Sequence, residues 1–90
     1  MNKTFEDKGF DDYLYWQIQD RKILKKINEL LKDIERNGVD KGIGQPEPLR
    51  YDLSGYWSRR IDEKNRLVYK INEIGQLSIA SCKGHYDNKK

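Results

Sequence analysis

The strongest constraint on the fold is a set of apolar residues that recurs with the period of an α-helix. Its members fall at offsets 0, 1, 4, 7, 8 and 11 and are Ile23, Leu24, Ile27, Leu30, Leu31 and Ile34. Such spacing places all of them on one helix face, which must pack against another element. Asp20 suits an N-cap and Gly38 suits a helix end, so we predict one long amphipathic helix between these two residues.

Weaker signals predict the elements on either side of this helix. Residues 11–19 have a pattern typical of a shorter helix, which we expect to begin after a break at Gly9. Residues 1–6 give weak support for a first strand. Residues 38–48 contain three glycines and two prolines, so they predict a loop.

The second half of the chain predicts a small antiparallel sheet. Three segments are rich in β-branched and aromatic residues and are separated by short polar turns; they span residues 56–61, 66–71 and 76–83. The simplest packing puts two N-terminal helices on one face of such a sheet, so we predict an α+β fold. Ninety residues suffice for one core, and we assign residues 1–90 to a single domain.

Charge is unevenly distributed along the chain. The 18 Lys and Arg residues exceed the 15 Asp and Glu residues by three, and the whole excess lies in residues 46–90. Four arginines lie close together there: Arg50, Arg59, Arg60 and Arg66. The planar guanidinium group is suited to phosphate, so a polyanionic partner is one interpretation. An ordinary solvated surface is the other, and charge alone favours it.

Composition argues against several classes of protein. No apolar run is long enough for a transmembrane helix, and the first residues lack the apolar stretch of a signal peptide. One cysteine, Cys82, excludes an intrachain disulfide and is most simply a buried strand thiol. One histidine and one cysteine are too few to indicate a metal site. We therefore expect a cytoplasmic protein that uses no metal and no cofactor.

Alternation along the predicted strands brings two of the arginines together. Trp57 and Arg59 share one face of their strand, and Arg60 lies on the other. On the next strand Leu67 belongs to the apolar face, which the helices must cover, and Arg66 belongs to the opposite face. Arg60 and Arg66 are thus neighbours on the uncovered face if the intervening turn has an odd number of residues. A bound phosphate would relieve their repulsion, and two arginines extended into water are the alternative.

One carboxylate and one imidazole are candidates for acid–base chemistry. Glu47 stands between Pro46 and Pro48, which fix the backbone around a candidate general base. His85 is the only histidine, and imidazole is the side chain best suited to moving protons near neutral pH. Each has a plainer alternative, because Glu47 can be an ordinary loop carboxylate and His85 an unused surface group.

Together these groups match the requirements of RNA cleavage without a metal. A base removes the proton of the ribose 2′-OH, arginines stabilise the additional charge on phosphorus, and an acid protonates the leaving 5′-oxygen. The nucleophile belongs to RNA, so DNA would not be cut. Tyr56 and Tyr86 are available to stack on bases, whereas alternation assigns Trp57 to the core.

Several segments resemble the YoeB (Txe) toxins, which belong to the RelE superfamily of bacterial toxin–antitoxin systems. These segments are DDYLYWQ at 11–17, KKINEL at 25–30, PEPL at 46–49, LSGYWSRRI at 53–61, RLVY at 66–69 and HY at 85–86. The resemblance extends over nearly the whole chain. It implies a RelE-like fold and a ribosome-dependent mRNA interferase, which enters the A site of the 70S ribosome, cuts the mRNA there and stops translation.

The resemblance also assigns roles to individual residues. It implies that Glu47 is the general base, His85 the general acid and Arg66 the group that stabilises the transition state. Tyr86 would orient the substrate. Other basic residues of the same half of the chain form the predicted phosphate-binding set, which comprises Arg50, Arg59, Arg60 and Lys83.

Partners follow from the same resemblance. It implies a YefM-like antitoxin, whose C-terminal segment wraps the toxin and disturbs the active site, and a homodimer that binds the ribosome. Residues 87–90 extend beyond the His-Tyr pair. In chains of the family this pair lies at or very near the end. The alternative is a non-cleaving toxin on the same fold, either a ParE-like gyrase inhibitor or a protein that blocks the ribosome. The presence of Glu47, Arg66 and His85 favours the enzyme.

Overall fold

Two helices pack on a five-stranded sheet in the computed structural model, which describes residues 1–85. In chain order the elements are β1 (Lys3–Phe5), α1 (Asp7–Gln19), α2 (Arg21–Asn37), β2 (Glu47–Pro48), a 3₁₀ turn (Tyr51–Leu53), β3 (Trp57–Arg60), β4 (Arg66–Ile71) and β5 (Leu77–Ser81). The strand order is β1-β5-β4-β3-β2, with β1 parallel to β5 and the other pairs antiparallel. The predicted α+β fold is confirmed, and β2 is an addition to it within the predicted loop.

Helix α2 begins and ends where the sequence predicts. The carboxylate of Asp20 accepts hydrogen bonds from the backbone N–H groups of Lys22 and Ile23. At the other end Gly38 adopts a φ of 95°, which favours glycine, and its N–H donates to the carbonyl of Ile34. The predicted apolar stripe between these ends lies in the main core.

Helix α1 begins at Asp7 and continues through Gly9, so the predicted break at this glycine is wrong. A Cβ atom at Gly9 would lie only 2.3 Å from the carbonyl oxygen of Ile79 in β5. The glycine is required because the backbone of α1 packs directly against that strand. No helix within residues 1–85 is long and apolar enough to cross a bilayer.

The strand register separates the two faces of the sheet. On the face covered by the helices, Arg59 pairs with Leu67. On the face away from the helices, which we call the distal face, Arg60 pairs directly with Arg66. The predicted juxtaposition of these two arginines is confirmed, because the turn at residues 61–65 has an odd number of residues.

The distal face is partly covered, which the sequence did not predict. Its side chains from β2, β3 and β4 are those of Glu47, Ser58, Arg60, Arg66, Val68 and Lys70. Segment 49–56 folds over part of this face, since Leu49 is 5% exposed and Val68 is 2% exposed although both lie outside the main core. The N–H of Leu49 donates to the carbonyl of Tyr56 and closes the segment into a loop.

Candidate active site

Glu47 is presented on the distal face by the edge strand β2. It pairs with Ser58 of β3, and directly paired residues point to the same face of a sheet. Pro46 and Pro48 are compatible with this position, because an edge strand does not need every N–H group that a central strand needs. Glu47 is exposed, and its carboxylate has no hydrogen-bond or ion-pair partner within residues 1–85. It is therefore available to a ligand.

The loop before Glu47 is fixed against β3. The carbonyl of Gly44 accepts a hydrogen bond of 2.7 Å from the N–H of Arg60. Gly44 has a φ of 83°, and a Cβ atom there would lie 3.1 Å from the Cβ of Arg59, so a larger residue would displace the loop. Gln45 follows with a φ of 55° and turns the chain into β2. These contacts set the position of Glu47 relative to the arginines of β3.

Arg60 and Arg66 form the cationic part of the site. Arg60 is exposed, and its guanidinium has no partner among the described residues. Arg66 is half-buried, and its Nη1 donates to the carbonyl oxygens of Asp62 at 2.6 Å and Asn65 at 3.1 Å. Ordinary strand spacing and rise place the Cα atoms of Glu47 and Arg66 about 12 Å apart. Two side chains of this length can contact opposite sides of one phosphodiester.

His85 lies beside the distal face at the end of the described chain. It is exposed and lines a groove of about 380 Å³ together with Glu6, Lys8, Leu53, Val68, Ala80 and Ser81. Val68 belongs to the distal face, and Ser81 of β5 pairs with it. The carbonyl of Gly84 accepts a hydrogen bond of 3.1 Å from the N–H of Arg66. The backbone of Gly84 therefore lies next to that of Arg66, which brings the following residue, His85, close to Arg66 as well.

Arg59 has a structural role, so the prediction that it binds phosphate is wrong. Its side chain is fully buried and forms an ion pair with Asp33, in which Nη1 and a carboxylate oxygen are 2.5 Å apart. Its Nε donates to the hydroxyl of Tyr69. The remaining N–H groups donate to three backbone carbonyls of the loop after α2, those of Gly38, Lys41 and Ile43. No donor of this guanidinium remains for a phosphate.

The ion pair also affects the carboxyl group of Asp33. The hydrogen bond from Arg59 holds the pKa of Asp33 below its ordinary value, against the opposite effect of burial. Hydrogen bonds from the N–H of Ile43 and the amide of Asn37 act in the same direction as Arg59. Arg59 and Asp33 together fasten the loop that leads to Glu47 onto the helix and the sheet.

Of the other predicted site residues, Arg50 and Lys83 belong to the described part of the chain. Arg50 is exposed at the start of the 3₁₀ turn, and its binding of phosphate stays a prediction. The Nζ of Lys83 lies 4.2 Å from the ring centre of Tyr15, so it contacts α1 and not the arginine pair. Tyr86 lies outside the described residues. The predicted burial of Cys82 is confirmed, and desolvation raises the pKa of its thiol to about 12.

A polar network at the distal face was missed by the sequence analysis. The hydroxyl of Tyr56 donates to Oε2 of Glu6 at 2.8 Å, and Nζ of Lys70 lies 4.7 Å from the ring centre of Tyr56. Burial and the hydrogen bond to Glu6 raise the pKa of Tyr56. Strand alternation could have placed Tyr56 and Lys70 on one face. Glu6 follows the distant strand β1, and no local pattern connects it with the other two residues.

Comparison with known proteins identifies the family. Residues 5–86 match the model of the YoeB-like toxins of bacterial type II toxin–antitoxin systems. The chain belongs to this family. The toxin YoeB of Escherichia coli strain K12 is 51% identical to it over 86 residues, which cover 96% of this chain and 100% of that protein.

Solved structures of YoeB toxins agree with the fold. A YoeB–YefM complex from Staphylococcus aureus contains a chain that is 52% identical and superposes with a TM-score of 0.87, covering 96% of this chain and 98% of that chain. A YoeB dimer from the same organism gives the same TM-score and coverage at 53% identity. The predicted RelE-like fold and the YoeB resemblance are therefore confirmed.

Proposed function

We propose that this chain is a ribosome-dependent endoribonuclease that cuts mRNA in the ribosomal A site. The observation that supports the proposal is the shared distal face, on which Glu47, Arg60 and Arg66 lie, with His85 lining the groove beside it. This arrangement offers a base, two cations and an acid around a space that is open to a polymer. Membership of the YoeB-like toxins supports the same conclusion.

In the proposed reaction Glu47 removes the proton of a ribose 2′-OH, whose oxygen attacks the adjacent phosphorus. Arg60 and Arg66 stabilise the additional negative charge on the phosphate oxygens. His85 gives a proton to the departing 5′-oxygen. The products are a 2′,3′-cyclic phosphate and a free 5′-OH, and no cofactor is consumed. We assign orientation of the substrate to Tyr86.

The ribosome supplies positioning that the described residues do not. Glu47, Arg60 and His85 are all exposed, so residues 1–85 do not enclose a nucleotide. A ribosome that holds the codon in its A site would present the 2′-OH to a fixed base and acid, and such positioning can contribute much of a rate enhancement. We place the reaction in the cytoplasm, where mRNA is translated.

The proposed partners are a YefM-like antitoxin and a second copy of the chain. The Staphylococcus aureus relative was solved in complex with YefM and also as a YoeB dimer. We propose that the antitoxin of this chain covers the distal face and thereby keeps RNA away from Glu47 and Arg66. The exposed guanidinium of Arg60 offers an acidic segment of such an antitoxin an anchor.

Mapping of mRNA 5′ ends on programmed ribosomes tests the proposed activity. With the wild-type protein we expect cuts within the A-site codon and much slower cleavage of the same RNA without ribosomes. Glu47→Gln and His85→Gln should each lower the single-turnover rate by about 10²–10⁴-fold, which is the usual contribution of a general base or acid.

Glu73 provides a matched control for Glu47. It is an exposed carboxylate in the turn between β4 and β5, so Glu73→Gln removes the same charge from another part of the sheet. This variant should cut at the wild-type rate. Translation arrest with intact mRNA would instead indicate a blocking toxin, and full activity of Glu47→Gln and His85→Gln would refute the assigned roles.

A further inference from the structure

The segment that leads to His85 is held on one side by helix α1. The backbone N–H of Cys82 donates to a carboxylate oxygen of Asp12 at 2.9 Å. The carbonyl of Cys82 accepts a hydrogen bond of 2.8 Å from the indole of Trp16. All three residues are buried, so both backbone groups of Cys82 are fixed three residues before His85.

The same segment is held on its other side by the start of β4. The N–H of Gly84 donates to Oδ1 of Asn65 at 2.7 Å, and the carbonyl of Gly84 accepts from the N–H of Arg66 at 3.1 Å. The N–H and the carbonyl of Gly84 are therefore hydrogen-bonded to the consecutive residues Asn65 and Arg66. One of these residues carries the guanidinium of the proposed site, and Gly84 directly precedes His85.

The amide of Asn65 is itself fixed within the turn. Its Nδ2 donates to both carboxylate oxygens of Asp62, at 3.1 and 3.2 Å, which leaves Oδ1 directed at Gly84. Burial alone would raise the pKa of Asp62, but hydrogen bonds from Asn65 and Lys64 outweigh this effect and lower it. Asn65 is 8% exposed, so water does not readily replace these partners.

The turn also orients Arg66. Its Nη1 donates to the carbonyl oxygens of Asp62 and Asn65, at 2.6 and 3.1 Å. The turn at residues 62–65 therefore holds both the guanidinium of Arg66 and the backbone of Gly84, and the side chain of Asn65 lies between them. A shift of this side chain would move the His85 segment relative to the guanidinium.

We propose that Asn65 is a positioning residue that sets the imidazole of His85 at a fixed place relative to the guanidinium of Arg66. It acts through the N–H of Gly84 and contacts neither RNA nor the reacting atoms. The inference rests on the proposed function, because it matters for activity only if His85 and Arg66 act on the same phosphate. Misplacement by about 1 Å can cost about 10²-fold in rate.

Single-turnover cleavage on programmed ribosomes tests the effect on the reaction. Asn65→Ala should lower the rate at saturating toxin by about 10–100-fold and leave the half-saturating toxin concentration almost unchanged, because ribosome binding is not affected. In a His85→Gln background, Asn65→Ala should have almost no further effect, since there is no imidazole left to position. Equal losses in both backgrounds would overturn the proposal.

Two further variants separate positioning from stability. Asn72 forms three comparable side-chain hydrogen bonds in the other hairpin turn. Its Oδ1 accepts from the backbone N–H groups of Ile74 and Gln76, and its Nδ2 donates to Oε1 of Gln76. Asn72→Ala is therefore a matched control that should keep the wild-type rate. The second is the double variant Asp62→Asn with Asn65→Asp, which exchanges the two side chains. The amide at position 62 would then donate to the carboxylate at position 65, and that carboxylate would still accept from the N–H of Gly84. This double variant should recover most of the rate that Asn65→Ala loses, and failure to recover it would contradict the proposal.

Nuclear magnetic resonance of the free protein gives a readout that does not depend on cleavage. We expect Asn65→Ala to speed the hydrogen exchange of the Gly84 amide, which loses its acceptor, and to shift the ring resonances of His85, whereas Asn72→Ala should change neither. Unchanged Gly84 and His85 signals would overturn the positioning role whatever the activity. Absence of mRNA cleavage by the wild type would instead overturn the proposed function, and these signals would still decide the role of Asn65.

Discussion

Arg59 and Arg60 are consecutive residues of β3, yet their surroundings have little in common. Arg59 lies on the helix-covered face, is 0% exposed and has an acceptor within the protein for every N–H of its guanidinium. Arg60 lies on the distal face opposite Arg66 and is exposed, and its guanidinium has no partner within residues 1–85. Because side chains alternate along a strand, one arginine stabilises the fold and the other is available to a ligand.

The contrast shows that a cluster of arginines in the sequence is not one site. The guanidinium of Arg59 holds the loop of residues 38–44, and that loop determines where Glu47 stands. Arg60 takes its backbone position from the same loop through the carbonyl of Gly44. One arginine therefore supports the geometry in which its neighbour can act.

Replacing each arginine by methionine should give the largest difference between the two faces. Arg59→Met leaves Asp33 without its cation and three loop carbonyls without donors, so we expect the free energy of unfolding to fall by about 3–5 kcal/mol. Arg60→Met should change the free energy of unfolding by about 0.5 kcal/mol or less, because it is exposed and unpaired. Urea unfolding followed by tryptophan fluorescence measures both. Equal losses would contradict the assignment of the two residues to different faces.

The local signals in the sequence were sufficient for much of this contrast. The helical period predicted α2, Asp20 and Gly38 predicted its ends, and strand alternation predicted the pairing of Arg60 with Arg66. Alternation also placed Arg59 on the apolar face, but its charge led to the wrong prediction of phosphate binding. Its partner Asp33 lies on α2, 26 residues earlier, and no local pattern connects the two.

The features that the sequence could not provide depend on contacts between distant segments. Strand β2 contains only two residues, Glu47–Pro48, which is too short for a periodic signal. The need for Gly9 becomes visible only when α1 packs against β5. The contact between Asn65 and Gly84 likewise requires the C-terminal segment to return to the start of β4. The residue types of the candidate site were predictable, whereas the contacts that position them were not.

Cleavage should show the converse of the stability result. Arg60→Met should lower the single-turnover rate on programmed ribosomes by about 10–100-fold at saturating toxin, which corresponds to one charge-assisted hydrogen bond of about 1.5–3 kcal/mol. Arg36→Met is the matched control, because Arg36 is an exposed arginine on α2, away from the distal face. It should cut at the wild-type rate under the same conditions. A wild-type rate for Arg60→Met would remove Arg60 from the site and leave Arg66 as its cation.

The smallest expected effect concerns the acid stability that the Arg59–Asp33 pair contributes. The hydrogen bond from Arg59 lowers the pKa of Asp33 below the 3.8 of an ordinary aspartate, and this effect exceeds that of burial. A group whose pKa is lower in the folded state stabilises the protein above its unfolded pKa, and this contribution is lost as pH falls through the folded value. The wild type should therefore lose this contribution progressively as the pH falls below about 4.

Asp33→Asn isolates this contribution, because it removes the titrating group and keeps the shape of the side chain. The variant should be less stable than the wild type at pH 7, and the difference in the free energy of unfolding should shrink as the pH is lowered toward 2. Asp11→Asn, at an exposed position of α1, should keep the wild-type slope. Urea unfolding at a series of pH values gives these slopes. A constant difference between Asp33→Asn and the wild type would mean that the carboxylate of Asp33 is not what the buried guanidinium stabilises, and the clamp on the loop before Glu47 would then depend on the backbone carbonyls alone.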